Sequence, residues 1–191
     1  MQKNENTVVL ATVLLVITAL VAFLLATVNN VTSDKIRIQE VREQIEARSA
    51  VLSSATAFVE LPYQVKADSP VSKVFKGMSG ESVVGYCVQV SPVGYGGEID
   101  MVVGIAQNGT IEAVRIISMT ETPGLGAKAQ DESFIGQFAG KNCDTPLQIV
   151  KGSASAENEI TAISGATITS RAVTDGIYAA VEAVRQMGGL S

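Results

Sequence analysis

The sequence predicts an α+β protein in which a single N-terminal transmembrane helix precedes a small antiparallel-sheet domain with packing helices. Two observations predict this class: a long apolar run near the N-terminus, and strand patterns joined by an Asn-Gly turn and followed by an amphipathic helix. We divide the 191 residues into a tail over 1–6, a transmembrane helix over 7–28, a stalk helix over 29–50 and one domain over 51–191. Without its membrane segment, the chain has the length of one ordinary domain.

The apolar run extends from Thr7 to Val28 without a charged residue. As a helix it would span about 33 Å, which matches a hydrocarbon core of about 30 Å. The apolar core of a cleaved signal peptide is shorter and follows a basic segment, whereas Lys3 is the single basic side chain before this run. We therefore interpret the segment as an uncleaved membrane anchor.

The charges on the two flanks of the anchor give a first indication of its orientation. Lys35, Arg37, Arg42 and Arg48 follow the apolar run, and Lys3 precedes it. Taken literally, the positive-inside rule places the large domain in the cytoplasm. Long domains cross membranes largely regardless of their charge, so we give this count little weight.

The stretch after the anchor has the pattern of an amphipathic helix that ends near Ser49. Ser33 or Asp34 is the predicted N-cap of this helix. Among its charged residues runs an apolar stripe formed by Ile36, Val41 and Ile45. The pattern predicts a stalk that leaves the membrane or the first helix of the soluble domain, and these two interpretations are compatible.

Three strands are predicted in the first half of the domain. Val83–Val90 is rich in strand-forming residues, whereas the stretch before it is mixed and predicts no regular element. Ile99–Ala106 and Ile111–Ser118 flank an Asn-Gly turn, in which we expect Asn108 and Gly109 to supply the two positive φ angles of a tight hairpin. Three antiparallel strands are therefore the expected nucleus of the sheet.

The second half of the domain alternates loops with short elements. Met119–Lys128 contains a proline and two glycines and is predicted to be a shaped loop. Asp131–Phe138 predicts a short helix and Leu147–Val150 a brief strand. Thr169 or Ser170 is the expected N-cap of the final helix. The apolar face of this helix is formed by Val173, Ile177, Val181 and Val184.

Composition and charge argue against several functions. The net charge of −5 and a pI near 4.8, with no basic stripe, argue against nucleic-acid binding. The absence of histidine excludes Ser-His-Asp and Cys-His catalysis and any His-ligated zinc or haem. Gly140-Lys141-Asn142 lacks the remainder of a phosphate-binding loop of the NTPase type. The acidic residues show no metal-ligand spacing: Asp68, Glu98, Asp100 and Asp131.

The two cysteines, Cys87 and Cys143, lie far apart and form no CxxC pair. An iron–sulfur cluster or a cysteine-rich metal site therefore lacks ligands. Two small buried residues and a structural disulfide in an oxidising compartment both stay open.

The segment before the final helix has the composition of an anion site. Ile163–Ser170 combines small residues with hydroxyls, and Gly165 and Ala166 let the backbone approach a ligand closely. The N–H groups and the dipole at a helix start favour a phosphate there. A Ser/Thr-rich segment that only caps the helix is the alternative.

Ser164-Gly165-Ala166-Thr167, followed by Ile168-Thr169-Ser170, resembles the flavinylation motif of the FMN-binding domain family. In that family a threonine hydroxyl carries FMN through a phosphoester bond, which a separate flavin transferase makes from FAD with magnesium. The resemblance implies covalent FMN on Thr167, with Ser164, Gly165, Ala166, Thr169 and Ser170 beside it. Many such motifs have an aspartate where this chain has Thr161.

A second resemblance to the family lies about forty residues upstream, in Glu121-Thr122-Pro123-Gly124-Leu125-Gly126. The family's loop lies against the flavin ring, which implies cofactor contacts for Glu121, Thr122, Gly124, Leu125 and Gly126. Glycines let backbone groups reach the polar edge of the ring, and a leucine can cover its face. A third match is Tyr95, within Gly94–Gly97, for which an ordinary glycine-rich turn is the alternative.

The whole arrangement, an N-terminal span followed by a domain with the threonine motif near its C-terminus, resembles the family of G subunits of Rnf complexes. This resemblance implies an electron-relay subunit of an ion-translocating ferredoxin:NAD oxidoreductase, without catalysis of its own. The C subunit of the sodium-translocating NADH:quinone reductase is the second choice, and a membrane-anchored assembly module without a redox group is the third.

The same resemblance implies the partners and the location. The partners are a membrane subunit with its own covalent FMN, iron–sulfur subunits, small membrane subunits and the flavin transferase. We expect a single-pass protein of the cell membrane with its domain on the extracytoplasmic face. A dissociating flavin would be lost there, whereas an ester-linked flavin stays. We prefer this side to the one that the charge count gives.

Overall fold

The computed structural model describes residues 2–64, 69–142 and 144–190. The chain separates into two compact units, Met1–Glu43 and Gln44–Ser191. The helices are α1 (Gln2–Val51), α2 (Glu132–Ile135) and α3 (Thr167–Gln186). The strands are β1 (Ala57–Leu61), β2 (Val71–Ser79), β3 (Ser82–Val90), β4 (Ile99–Ala106), β5 (Ile111–Met119), β6 (Gln148–Val150) and β7 (Glu159–Thr161).

Helix α1 is continuous from Gln2 to Val51. Its segment Thr7–Asn30 has a mean hydropathy of 3.1 and is long and apolar enough to cross a membrane, as the sequence predicts. The expected N-cap at Ser33 or Asp34 is wrong, because the helix runs through both positions. The Ser33 hydroxyl donates instead to the Asn30 carbonyl within the same helix, at 3.3 Å. No glycine or proline interrupts this stretch, so nothing in it stops the helix.

The last residues of α1 belong to the globular unit. Ala47, Val51 and the following Leu52 are buried. They pack on one face of the sheet, in an outer layer that also contains Phe75, Cys87 and Val102. The interpretation of this stretch as the first helix of the domain therefore holds for its C-terminal end.

The main sheet has five strands in the order β1-β2-β3-β4-β5, and every pairing is antiparallel. The three predicted strands are β3, β4 and β5, and they lie next to one another as expected. Strands β1 and β2 carry no clear signal in the sequence. Register shifts at both ends of β2 break its alternation of buried and exposed residues, and β1 is an edge strand with few buried side chains.

The turn between β4 and β5 differs from the prediction. Gly109 has φ 81°, but Asn108 does not adopt a positive φ. The N–H of Gly109 donates to the Ala106 carbonyl at 3.0 Å, and the Asn108 side chain accepts from the Thr110 N–H at 3.1 Å. This local side-chain bond holds Asn108 in a right-handed turn, and Gly109 forms the bulge that returns the chain to the sheet.

The remaining elements cover the other face of the sheet. Val173, Ile177, Val181 and Val184 of α3 are fully buried, which confirms the predicted apolar face. They pack against core residues of β3 and β4, among them Val88 and Met101. Helix α2 lies within the predicted helical stretch, and β6 pairs in parallel with β7 as a separate two-stranded sheet.

Cys87 is a free thiol and is fully buried in β3. Burial raises its pKa from 9.0 to about 12, and the positive charge of Arg48 opposes this rise. Cys87 is therefore a small buried residue, and the alternative of a structural disulfide does not hold for it. Cys143 lies outside the described residues.

Candidate functional site

Helix α3 begins at Thr167, with Ala166 as its N-cap and no side chain capping it. The expected cap by Thr169 or Ser170 is therefore wrong, because both residues lie within the first helical turn. Their hydroxyls are engaged elsewhere. That of Thr169 donates to the Glu121 carboxylate at 3.0 Å, and that of Ser170 accepts from the Ile163 N–H at 3.0 Å and donates to the Ala166 carbonyl at 2.9 Å.

The first turn of α3 leaves three backbone donors available. Within the described part of the chain, the N–H groups of Thr167, Ile168 and Thr169 have no acceptor, and the first helical N–H bond runs from Ser170 to Ala166. Free N–H groups at a helix start, together with the helix dipole, form an anion site. The half-buried Thr167 side chain lies beside these donors.

The two motifs that lie far apart in the sequence meet in the structure. Gly165 adopts φ 78°, which turns the chain into α3, and a Cβ built at this position lies 3.1 Å from Cδ2 of Leu125. Leu125 belongs to a tight turn in which Thr122 accepts from the N–H groups of Leu125 and Ala127, both at 3.1 Å. Gly124 supplies the φ of 78° that this turn needs.

A cleft of about 550 Å³ opens between these segments. It is lined by Tyr95, Glu121, Thr122, Leu125, Gly126, Gly165, Ala166, Thr167, Ile168 and Thr169. All three sequence motifs therefore converge on one cavity. Three predicted residues do not line it: Gly124 shapes the turn, Ser170 is buried behind the helix start, and Ser164 lines a separate cavity of about 240 Å³ with Lys128.

Ile168 lines the cleft and is absent from the predicted set. Its side chain is 56% exposed on the first turn of α3, directly after Thr167. An isoleucine among the small and hydroxylated residues of the motif is the signal that could have identified it. With Leu125 and Tyr95, it gives the cleft an apolar surface beside the free N–H groups. The cavity thus offers both an anion site and apolar contacts.

The Glu121 side chain connects the three chain segments that line the cleft. Its side chain is 7% exposed, and Oε1 accepts from the N–H of Tyr95 at 2.7 Å and of Gly96 at 3.1 Å. Oε2 accepts from the Thr169 hydroxyl at 3.0 Å. Both carboxylate oxygens are therefore engaged by protein donors from two other segments of the chain.

Two glycines make room for this carboxylate. A Cβ built on Gly94 would lie 2.1 Å from Oε1 of Glu121, and one on Gly126 would lie 2.2 Å from Oε2. Neither glycine has a positive φ, so close packing and not backbone conformation requires them. The glycines of the second and third motifs therefore surround one buried acidic group.

Thr161, where many flavinylation motifs have an aspartate, lies in β7 away from the cleft. Its hydroxyl accepts from the Ala154 N–H at 3.0 Å, and its N–H donates to Gln137 at 2.8 Å. The nearby Glu159 accepts from the backbone N–H groups of Ser155 and Ala156, which lower its pKa. Both side chains hold the loop before β7 and contribute nothing to the lining of the cleft.

Comparisons with known proteins agree with this geometry. Residues 94–182 match the model of the FMN-binding domain family, a range that includes all three motifs. The crystal structure of NqrC from Shewanella oneidensis superposes with a TM-score of 0.54 over 71% of this chain and 70% of that one, at 22% identity. The C subunit of a Na+-translocating NADH-quinone reductase from Parabacteroides distasonis gives 0.51 over 60% of this chain and 61% of that one, at 24% identity. These two likenesses show the fold.

Curated relatives extend over nearly the whole chain. The G subunit of the Na+-translocating ferredoxin:NAD+ oxidoreductase complex of Acetobacterium woodii is 37% identical, with 93% of this chain and 91% of the relative covered. The G subunit of the proton-translocating complex of Clostridium ljungdahlii is 34% identical, with 98% and 97% covered. The G subunit of the ion-translocating oxidoreductase complex of Methanosarcina acetivorans is 35% identical, with 98% of both covered.

Proposed function

Because the chain belongs to the family of G subunits of ion-translocating oxidoreductase complexes, we propose that it is the flavin-bearing electron-relay subunit of an Rnf complex. In this proposal FMN is joined to Thr167 through a phosphoester. The observation that carries it is the position of Thr167, at the first residue of α3, beside three free N–H groups and on the wall of a 550 Å³ cleft. The identities with the G-subunit relatives favour this assignment over the C subunit of the quinone reductase.

The residues of the cleft fit the two halves of FMN. The free N–H groups of Thr167, Ile168 and Thr169 suit a phosphate, and their dipole favours its charge. Leu125 and Ile168 offer apolar surfaces to a flat ring, and Tyr95 stands on the rim with 72% of its side chain exposed. When bound, FMN supplies the redox chemistry by accepting and releasing electrons, while the protein holds and shields it.

The attachment step exchanges a phosphoanhydride bond for a phosphate ester bond. The hydroxyl oxygen of Thr167 forms a bond to the phosphorus of the FMN half of FAD, and the pyrophosphate bond of FAD breaks. AMP leaves, and the hydroxyl proton is lost to a base or to solvent. A flavin transferase with bound magnesium supplies this catalysis, since the chain has no histidine and no other base among the described residues bonds to Thr167.

Substitution of Thr167 tests the proposal in chain produced together with a flavin transferase. Thr167→Val keeps the shape of the side chain but removes the hydroxyl, and we expect colourless protein with the unmodified mass. Thr167→Ser keeps the hydroxyl and should gain the mass of one FMN less one water. Thr145→Val is the matched control, because it removes an exposed threonine hydroxyl away from the cleft, and it should be modified like the wild type.

Intact-mass spectrometry and in-gel flavin fluorescence read out these variants. Unmodified wild-type chain, or a flavin that persists in Thr167→Val, would contradict the assignment of Thr167. A colourless wild type that still assembles with its partners would support the non-redox assembly module.

We also propose that the globular unit lies on the extracytoplasmic face, where a covalent tether prevents loss of the flavin. A cysteine at the exposed position Ser153, in a Cys143→Ser background, provides a label site, and the buried Cys87 stays unreactive. A membrane-impermeant maleimide should label this cysteine in intact cells. Labelling only after the membrane is broken would place the unit in the cytoplasm.

A further inference from the structure

We propose that Glu121 is a positioning residue, which sets the separation of the cleft walls and places a fixed negative charge at the cleft. This inference rests on the proposed function and deepens it. Its starting point is the number of groups that converge on one side chain: three hydrogen bonds from protein donors and the close approach of two glycines.

The carboxylate links segments that are distant in the sequence. Its bond to the Tyr95 N–H spans 26 positions, and its bond to the Thr169 hydroxyl spans 48. Tyr95 stands on one side of the cleft, and Thr169 belongs to the turn of α3 that carries the free N–H groups. Glu121 therefore fixes the position of Tyr95 relative to the first turn of α3, where the free N–H groups lie. A displaced segment would weaken the contacts of a ring bound between the two sides of the cleft.

The same carboxylate adds charge to the site. In the described part of the chain, no lysine or arginine forms a salt bridge with Glu121. Its partners are two backbone amides, one hydroxyl and the positive end of the α3 dipole, which stabilise the anion without cancelling its charge. A fixed negative charge disfavours the addition of electrons to a nearby group. Glu121 thus lowers the reduction potential of a flavin in this cleft.

Glu121→Gln removes the negative charge but keeps the shape of the side chain, so it tests the electrostatic role by itself. Glu98→Gln is its control. The amide oxygen of glutamine can accept from Tyr95 and Gly96, and its nitrogen can donate to the Thr169 hydroxyl. We expect the flavinylated Glu121→Gln chain to have a more positive midpoint potential than the wild type. Glu98→Gln removes a charge from an exposed position in the loop that contains Tyr95, and it should leave the potential unchanged because solvent screens that charge.

Thr169→Val tests the link without changing the charge or requiring a flavin. In unmodified chain we expect amide hydrogen exchange at Tyr95 and Gly96 to rise roughly tenfold, the factor that one hydrogen bond to a charged group is worth. Both amides and the Thr169 hydroxyl are hydrogen-bonded to the Glu121 carboxylate, so we expect the change to pass through Glu121. Thr122→Val, an exposed cleft residue without a bond to Glu121, should leave this exchange unchanged.

The outcomes separate the two proposals. An unmodified wild type refutes the covalent flavin, and the exchange measurement still tests the link in that chain. Wild-type exchange at Tyr95 and Gly96 in Thr169→Val would overturn the positioning role. If Glu121→Gln folds with an unchanged potential, the electrostatic role is overturned, and if it does not fold, the Thr169→Val exchange decides the positioning role alone.

Discussion

The junction of α1 with the sheet and the cleft both need a glycine for close packing, but they differ in the group that lies against that glycine. On the outer face, a Cβ at Gly104 would lie 2.0 Å from the carbonyl oxygen of Val51, at the end of α1. At the cleft, a Cβ at Gly126 would lie 2.2 Å from Oε2 of Glu121. In the first contact backbone meets backbone, and in the second a side chain meets backbone. An added methyl group would therefore have to displace backbone where the helix joins the sheet, whereas at the cleft a side chain could move instead.

The difference also lies in polarity. The outer layer includes Ala47, Val51, Phe75, Cys87 and Val102, which are buried and apolar or weakly polar. The cleft layer is centred on a carboxylate with hydrogen-bonded donors. Disturbing the outer layer should cost mainly global stability, whereas disturbing the cleft should change local order and flavin properties.

Gly104→Ala should have the largest effect. Two backbone segments would have to separate, and overpacking of this kind costs about 1–3 kcal/mol or more. We expect a large fall in the urea midpoint of unfolding. Gly80→Ala is the control, because this glycine has φ 61° and nothing within 4 Å of its Cβ, so the cost there is backbone strain alone. An equal loss in the two variants would mean that the helix end yields easily.

Gly126→Ala should destabilise the chain by about 1–2 kcal/mol, which is less than we expect for Gly104→Ala. The Glu121 carboxylate can swing away, but its bond to Thr169 is then strained. We expect the loss to appear as faster amide exchange at Tyr95 and Gly96 and not as a large change in the unfolding midpoint. Gly124→Ala adds backbone strain at φ 78° in the same turn but has open space around its Cβ, so it does not crowd the carboxylate and should leave those two amides protected. Protected amides in Gly126→Ala would show that the carboxylate does not respond to crowding.

Sequence patterns predicted those elements that depend on residues close together in the chain. The bounds of β4 follow from the Asn-Gly turn that it flanks, the apolar face of α3 follows from helical spacing, and the family motif predicted a site around Thr167. The start of α3 was misplaced because the hydroxyls of Thr169 and Ser170 bind partners outside their own helix end. The role of Glu121 depends on contacts across 26 and 48 positions, which no local pattern contains.

The outer layer should make stability depend on alkaline pH through Cys87. Its folded pKa of about 12 lies above the ordinary 9.0, so an unfolded chain releases the thiol proton first as pH rises. The free energy of unfolding should therefore fall above pH 9, by about 1.4 kcal/mol per pH unit, until the folded thiol also titrates. Subtracting the profile of Cys87→Ala, with Cys143→Ser in both chains, removes the contribution of other groups. A difference that stays constant from pH 9 to 11 would contradict a buried neutral thiol.

The smallest expected effect concerns Arg48, whose guanidinium carbon lies 3.9 Å from the centroid of the Phe75 ring. Arg48→Met keeps an unbranched side chain over the ring but removes the charge, and a half-exposed cation–π contact contributes about 0.5–1 kcal/mol. We expect a loss of this size in urea unfolding at pH 7, and a smaller loss when Phe75 is already leucine. The double-mutant cycle isolates the ring contact from the bond between Arg48 and Gln44. If the effects of the two substitutions are additive, the loss comes from the bond between Arg48 and Gln44. Apolar burial alone would then hold the outer layer.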